Sequence, residues 1–107
     1  MKYHVSIIAD AAEDIFSIYK YVATNDSIQK AEILLENIEE KISNLSELAS
    51  RGHTPSELAH IGIYEYQEIH FKPYRIIYQI MESDAYVHCV LDGRRDLEDL
   101  LQERLLR

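Results

Sequence analysis

Tyr74-Arg75-Ile76-Ile77-Tyr78 and Asp92-Gly93-Arg94-Arg95-Asp96 are the two stretches of this 107-residue chain that decide its fold. The first places one arginine within a run of apolar and aromatic residues, and the second brings two arginines just after a later run of that type. Arginine stays charged, and its rigid fork of donors suits carboxylates, phosphates and backbone carbonyls. Three such groups near one sheet edge therefore predict a binding site.

Three β-type runs surround the first stretch: Ile63 to Phe71, Tyr74 to Met81 and Tyr86 to Leu91. The breaks between them have hairpin length, which predicts an antiparallel meander. Side chains alternate along the middle strand, so Tyr74, Ile76, Tyr78 and Ile80 share one side and Arg75, Ile77, Gln79 and Met81 the other. The first set is expected to face a helical layer. Arg75 and Gln79 are then left on an open, concave sheet face.

The same alternation assigns the side chains of the last strand. Val87, Cys89 and Leu91 are expected in the helix-packed core, and His88, Val90 and Asp92 beside the open face. Of the five histidines, His70 and His88 lie on strands of the meander, but no Cys or carboxylate partners stand at ligand spacing. The sequence therefore predicts no metal and no cofactor.

The N-terminal half predicts one strand followed by two helices. Tyr3 to Ile8 is β-rich, and Asp10 with Glu13 has the spacing of a capping box at the start of a helix. Apolar residues then recur at helical spacing on both sides of a break at Asn25-Asp26-Ser27, which also caps the second helix. This pattern predicts an antiparallel helical hairpin.

Smaller signals complete the expected α+β fold. Gly52 suits a left-handed position after the second helix, and Thr54 an N-cap with proline following it. Leucines from Leu97 to Leu106 predict a short C-terminal helix, with Asp96 as its cap. The expected architecture is an N-terminal strand, a helical hairpin packed on the meander, and this last helix.

Composition limits the function. The length predicts one domain, 1–107, and no apolar run approaches the roughly 20 residues of a membrane helix. Cys89 is the single cysteine, so a reducing cytoplasm is expected. The net charge of −8 argues against a broad nucleic-acid surface. Residues 1–71 hold 5 Lys and Arg against 12 Asp and Glu, whereas residues 72–107 hold 6 against 7, so only a local basic site is compatible.

Taken in order, the motifs resemble the RelE/ParE superfamily of bacterial toxins over essentially the whole chain. They are Asp14-Ile15-Phe16-Ser17-Ile18-Tyr19 on the first helix, Gly62 followed by Tyr66-Gln67-Glu68-Ile69, then Tyr74 to Tyr78 and Gly93 to Asp96. The resemblance implies the same α+β fold. It also implies the toxin role in a type II toxin–antitoxin module of the plasmid-stabilisation type, with a cognate antitoxin that neutralises it.

The resemblance also implies a choice between two mechanisms. RelE-like members are ribosome-dependent mRNA endonucleases, whereas ParE-like members bind and inhibit DNA gyrase. Arg75 and Arg95 match the two arginines of the endonucleases. The strand lysines of that branch fall near Gln67 and Ile69, and its C-terminal tyrosine falls at about Leu101.

RNA cleavage by the 2′-hydroxyl needs a base, an acid and cations. Arg75 and Arg95 are cations, but proton transfer falls to groups outside the family positions, namely Tyr66, Glu68, His70 and His88. The ParE-like, non-enzymatic interpretation is therefore preferred. Expected partner contacts are Arg75, Gln79, Arg94, Arg95, Leu101 and Arg104.

Alternatives remain open at this point. Arg75 can simply pair with Glu68 across the strands, and Arg94 with Arg95 can neutralise the neighbouring aspartates. For the whole protein, the alternatives are an endoribonuclease of RelE type, for which Arg75 and Arg95 are the candidate catalytic residues, and a non-toxic binding module of the same fold.

Overall fold

The computed structural model describes residues 2–106. The N-terminal elements are β1 (His4–Ile7), α1 (Ala9–Asn25), α2 (Ile28–Ser43), α3 (Leu45–Leu48) and a 3-10 turn (Ala49–Arg51). The remaining elements are α4 (Ser56–Ala59), β2 (Tyr66–Phe71), β3 (Tyr74–Met81), β4 (Asp84–Asp92) and α5 (Glu98–Leu105). The predicted α+β class and the order of its main elements are confirmed.

The four strands form one sheet in the order β1-β4-β3-β2. Strands β2, β3 and β4 are antiparallel neighbours, as the hairpin-length breaks predict. β1 lies parallel to β4, with Val5 opposite Ala85. The long connection that a parallel pair needs runs from β1 through all the intervening helices and through β2 and β3, and the buried side chains of α1 and α2 pack with those of β3 and β4. The helical hairpin therefore lies against one face of the sheet.

The helix boundaries differ in part from the prediction. Ile8, not Asp10, holds the cap position of α1 and no side chain caps it, so the capping box is wrong. Asp10 instead lies in the first turn, where a negative charge favours the helix dipole. At α2 the prediction is confirmed, because the Ser27 hydroxyl accepts a hydrogen bond of 3.1 Å from the Lys30 amide.

Other boundaries shift by one to three residues. β2 begins at Tyr66 rather than Ile63, and α4 begins at Ser56 with Pro55 at the cap position in place of Thr54. Leu97, not Asp96, holds the cap position of α5, so that predicted cap is wrong, although the Asp96 carboxylate accepts a hydrogen bond from the Glu98 amide. These shifts leave the order of the elements unchanged.

A bulge in β4 corrects the predicted sides of its last residues. Tyr78 pairs with Val87 and Ile77 pairs with Cys89, so His88 is the extra residue of β4. An extra residue reverses the alternation beyond it. Val90 therefore lies in the core under the helical hairpin, whereas Cys89 and Leu91 face the other side, contrary to the expectation.

The expectation of an open sheet face is also wrong. The face that bears Ile77 is covered by α4 and α5, which form a second hydrophobic core. Leu58 from α4 and Leu97 and Leu101 near and within α5 are at most 1% exposed. Each face of the sheet is thus covered by helices, and the Arg75 side of β3 lies under the smaller layer.

Gly52 lies where the backbone passes close to β3. Its φ is −72°, so the predicted left-handed conformation is wrong, and the left-handed glycine is Gly62 with φ of 79°. A Cβ on Gly52 would lie 2.1 Å from the Tyr78 hydroxyl oxygen. Close approach to a buried tyrosine is thus the physical reason for glycine at this position. Among residues 2–106, no helix has the length and apolarity needed to cross a membrane.

Candidate partner-binding site

Arg75 is held between two glutamates at the rim of the second core. Its guanidinium donates two hydrogen bonds to Glu57, at 2.6 and 2.8 Å, and two to Glu68, both at 2.8 Å. Arg75 lies opposite His70 on the neighbouring strand and reaches Glu68 diagonally, so the pairing of Arg75 with Glu68 across the strands is confirmed by these hydrogen bonds. Glu57 comes from α4, a helix that the sequence analysis did not place over the Arg75 side of the sheet. Four of the five N–H donors of Arg75 are thereby used.

The electrostatics of this cluster follow from the arginine. Its hydrogen bonds lower the pKa of Glu57 from 4.5 to about 2. Burial acts to raise the pKa of Glu68, which is 2% exposed, but hydrogen bonds from Arg75 and His70 outweigh it and the pKa is lowered. Both glutamates in turn raise the pKa of Arg75. The cluster is therefore fully ionised at neutral pH.

The other two arginines of the motif lie outside this cluster. Arg94 is exposed, and its side chain donates hydrogen bonds of 3.0 and 2.8 Å to the Asp92 carboxylate, which lowers the pKa of Asp92 to about 2. Arg95 is exposed and makes no side-chain hydrogen bond within residues 2–106. Its guanidinium remains available to a partner.

A surface cleft of about 330 Å³ lies at the end of the β2–β3 hairpin, beside these arginines. Its walls include Lys72, Tyr74, Arg75 and Arg94. Gly93 closes one side, and a Cβ there would lie 2.9 Å from both the Arg75 Cδ and the Pro73 carbonyl oxygen. Lys72 and Arg94 give this cleft a basic rim suited to acidic groups of a partner.

The C-terminal residues of the predicted site are placed differently. Leu101 is fully buried in the second core, so it contributes to packing. Arg104 donates hydrogen bonds of 3.0 and 2.9 Å to the Asp14 carboxylate and one of 3.2 Å to the His88 carbonyl. Asp14 also accepts from the Val90 amide, so this pair ties α5 and α1 to the bulge. Gln79 is half-buried opposite Tyr66.

The remaining candidates for proton transfer are engaged or buried. The Tyr66 hydroxyl donates to the Leu105 carbonyl at 3.1 Å. Burial lowers the pKa of His88, and its Nε2 is buried without a hydrogen-bond partner within residues 2–106. His70 and Glu68 lie 2.6 Å apart between Nε2 and Oε1. Of these groups, His70 also lines the basic cleft, together with Lys72 and Arg94.

Sequence reasoning missed the pairing of Glu68 with His70 and the roles of Glu57 and Asp14. Glu68 and His70 are two apart on a strand, a spacing that places both on one face and would have identified the pair. Glu57 and Asp14 carry no such signal for their partners, because they meet Arg75 and Arg104 across 18 and 90 residues of chain.

Comparisons with known proteins agree with this arrangement. The model of the family described as "ParE toxin of type II toxin-antitoxin system, parDE" matches residues 5–97. A solved structure titled "Chromosomal ParDE TA system from P. aeruginosa" is similar with a TM-score of 0.72 at 14% identity, and the match covers 85% of this chain and 96% of that one. A search of curated protein sequences returns no match.

Proposed function

Because this chain belongs to the ParE toxin family of type II toxin–antitoxin systems, we propose that it inhibits growth by binding DNA gyrase. We further propose that a cognate antitoxin neutralises it, and that the pair stabilises the plasmid or chromosomal segment encoding both. According to this proposal, the protein acts in the bacterial cytoplasm through contact between protein surfaces, and it uses no cofactor.

One observation carries the choice of mechanism: the guanidinium of Arg75 is already occupied. Four hydrogen bonds to Glu57 and Glu68 leave one N–H donor for any phosphate. An RNA phosphate would also meet two carboxylates that are ionised at neutral pH, and their charge would repel it. Arg75 is therefore poorly placed to stabilise a cleavage transition state, which supports a protein-binding toxin.

The family positions that serve RNA cleavage in RelE-like proteins support the same conclusion. Gln67 and Ile69 occupy the lysine positions of the resemblance, and neither side chain carries a charge. Leu101 occupies the tyrosine position and is fully buried. A nuclease would need a base and an acid at this surface.

For the target contact we propose the exposed basic end of the meander. Arg94, Arg95 and Lys72 are exposed there, and they lie in the part of the chain where charge is nearly balanced. Exposed arginine is frequent at the centre of protein interfaces, because its fork pairs with carboxylates and its plane stacks on aromatic rings. Arg95 is the leading candidate because its exposed side chain forms no hydrogen bond or salt bridge within residues 2–106.

For the antitoxin we propose an amphipathic helix laid over the helical hairpin, together with contacts at the meander. Phe16 and Tyr21 on α1 are 59% and 68% exposed, and Ile33 on α2 is 59% exposed. A cleft of about 330 Å³ between the helices is lined mainly by apolar side chains, including Ile15 and Leu35. Grooves of this kind accept the apolar face of a helix.

The proposal is tested by expressing the protein alone in a bacterial host. We expect slowed growth with induction of a DNA-damage response, and relief of both when the small protein encoded by the adjacent reading frame is expressed with it. Primer extension on mRNA from a translating extract is the complementary assay. Codon-phased cuts there would establish the endonuclease mechanism instead, and unimpaired growth would establish a non-toxic binding module.

A further inference from the structure

Two histidines converge on the carboxylate of Glu68 from outside the second core. The Nε2 of His70 lies 2.6 Å from Oε1, and the Nε2 of His53 lies 3.9 Å from Oε2. The two rings are edge to face with centroids 5.4 Å apart. One ligand atom from each of the three residues lies within 4.8 Å of the others. This arrangement places two nitrogen donors and one carboxylate around a common point.

The backbone holds these residues in place. Glu68 and His70 are on the same face of β2, two residues apart. The amide of His53 donates to the Glu68 carbonyl at 3.2 Å, and the Glu68 amide donates to the His53 carbonyl at 2.7 Å. The segment after the 3-10 turn is therefore bonded to β2 as a short antiparallel bridge. The backbone of His53 is thus held beside Glu68, and that of His70 is held by the pairing of β2 with β3, before any ligand arrives.

Charge provides a second, independent reason to expect a cation here. Glu57 and Glu68 carry two negative charges near one positive charge on Arg75, so the cluster has an excess of one negative charge when both histidines are neutral. Glu68 is 2% exposed, so water compensates that charge poorly. A cation that binds at its outer side would balance the cluster.

The lone pairs of Glu68 leave room for that cation. Each carboxylate oxygen accepts two hydrogen bonds or ligand bonds. Arg75 uses one position on each oxygen, at 2.8 Å in both cases. The other position on each oxygen is directed away from Arg75, toward His70 and His53. The arginine thus orients the carboxylate as supporting partners do around metal ligands.

We propose that His53, Glu68 and His70 form a binding site for a divalent transition-metal ion such as Zn²⁺. Imidazole nitrogen and carboxylate oxygen are common zinc ligands, at about 2.0–2.2 Å. Three such ligands with water in the fourth position complete a tetrahedral shell. The exposed side chains of His53 and His70 turn by small amounts to bring their nitrogens to that distance.

Metal at this site crosslinks two parts of the chain. His53 lies between α3 and α4, and His70 lies near the end of β2 beside the basic cleft. A bound ion would fix the segment that carries Glu57, and thereby the cage around Arg75. The inference does not depend on gyrase or on an antitoxin, because it rests on binding by the isolated chain.

The test uses the untagged full chain, freed of metal with chelator and then loaded with Zn²⁺. We expect about one Zn²⁺ per chain to remain after gel filtration, and a rise of at least about 5 °C in the unfolding midpoint at saturating Zn²⁺. His53→Ala and His70→Ala are each expected to weaken binding at least tenfold in titration calorimetry. The control is His60→Ala, an exposed histidine outside the cluster, which should bind as the parent does.

Co²⁺ provides a readout of geometry, because its visible absorption is intense in tetrahedral coordination. We expect this Co²⁺ absorption in the parent chain and in His60→Ala, and we expect it to be absent in His53→Ala and His70→Ala. The proposal is overturned if the parent chain, loaded with Zn²⁺ after chelation, retains none after gel filtration. It is also overturned if either cluster variant binds Zn²⁺ as tightly as His60→Ala does. Circular dichroism of the two variants distinguishes a loss of metal affinity from unfolding of the variant.

Discussion

Arg75 and Arg94 bind carboxylates in nearly the same way, yet they play different parts in the molecule. Each directs its guanidinium fork at acidic side chains at distances of 2.6–3.0 Å. The side chain of Arg75 is 15% exposed and lies under α4, whereas that of Arg94 is 71% exposed. Removal of one partner from a buried ion pair strongly destabilises the fold, whereas an exposed ion pair contributes little to stability. Burial thus separates arginines that stabilise the fold from arginines that are accessible to a partner.

The largest expected effect is at the buried member of the pair. Arg75→Ala leaves Glu68 charged and buried without its main partner, and such a loss costs about 3–5 kcal/mol. Urea unfolding followed by circular dichroism measures it. Arg94→Ala is the matched control, and its urea midpoint should stay at the parent value. Equal midpoints for the two variants would contradict the distinction between the two arginines.

The next effect concerns the layer that covers Arg75. Leu101 on α5 is fully buried in the second core, so Leu101→Ala removes packed methyl groups and leaves a cavity. Substitutions of this kind cost about 2–5 kcal/mol. Leu106→Ala, at a leucine that is 40% exposed, serves as the control with an expected change within about 0.5 kcal/mol. If both variants unfold at the parent midpoint, α5 is not a structural cover.

Acid should weaken the ion pair between Glu57 and Arg75 as the pH falls from about 4.5 toward 2. The pKa of Glu57 is about 2 in the folded protein against 4.5 as its ordinary value, so the unfolded chain takes up the proton first as the pH falls. The stabilisation by Glu57 is complete above about pH 4.5 and is lost toward pH 2. Its size is on the order of 1–3 kcal/mol. Urea unfolding at a series of pH values should show a shallower acid decline for Glu57→Gln, and parallel curves would oppose this assignment.

A smaller effect is expected at the other face of the sheet. The buried hydroxyl of Tyr78 donates to the Ala49 carbonyl at 2.6 Å, and burial raises its pKa to about 12. Tyr78→Phe leaves that carbonyl without its donor, which costs about 1–2 kcal/mol. Tyr64→Phe is the control, because that ring is 64% exposed and its hydroxyl bond of 3.4 Å is long. A comparable loss in the control would assign the effect to the hydroxyl itself rather than to burial.

The sequence predicted the fold more fully than the site, for reasons visible in particular residues. Alternation along β3 and the hairpin-length breaks identified the meander, since those signals are local. The bulge at His88 has no such signal, and it moved Val90, Cys89 and Leu91 to unexpected sides. α4 is only four residues long, so its cover over Arg75 was not predictable. The open face expected for Arg75 was wrong for these two reasons.

DNA supercoiling by purified gyrase is a direct measurement of the proposed inhibition. We expect the parent chain to inhibit the reaction, and Arg95→Ala to inhibit at least about tenfold less while unfolding at the parent urea midpoint, because Arg95 lies outside the internal ion pairs. Addition of the antitoxin should restore supercoiling. Full supercoiling in the presence of excess parent chain, together with cleavage of mRNA in a translating extract, would show that the protein is an endonuclease and not a gyrase inhibitor.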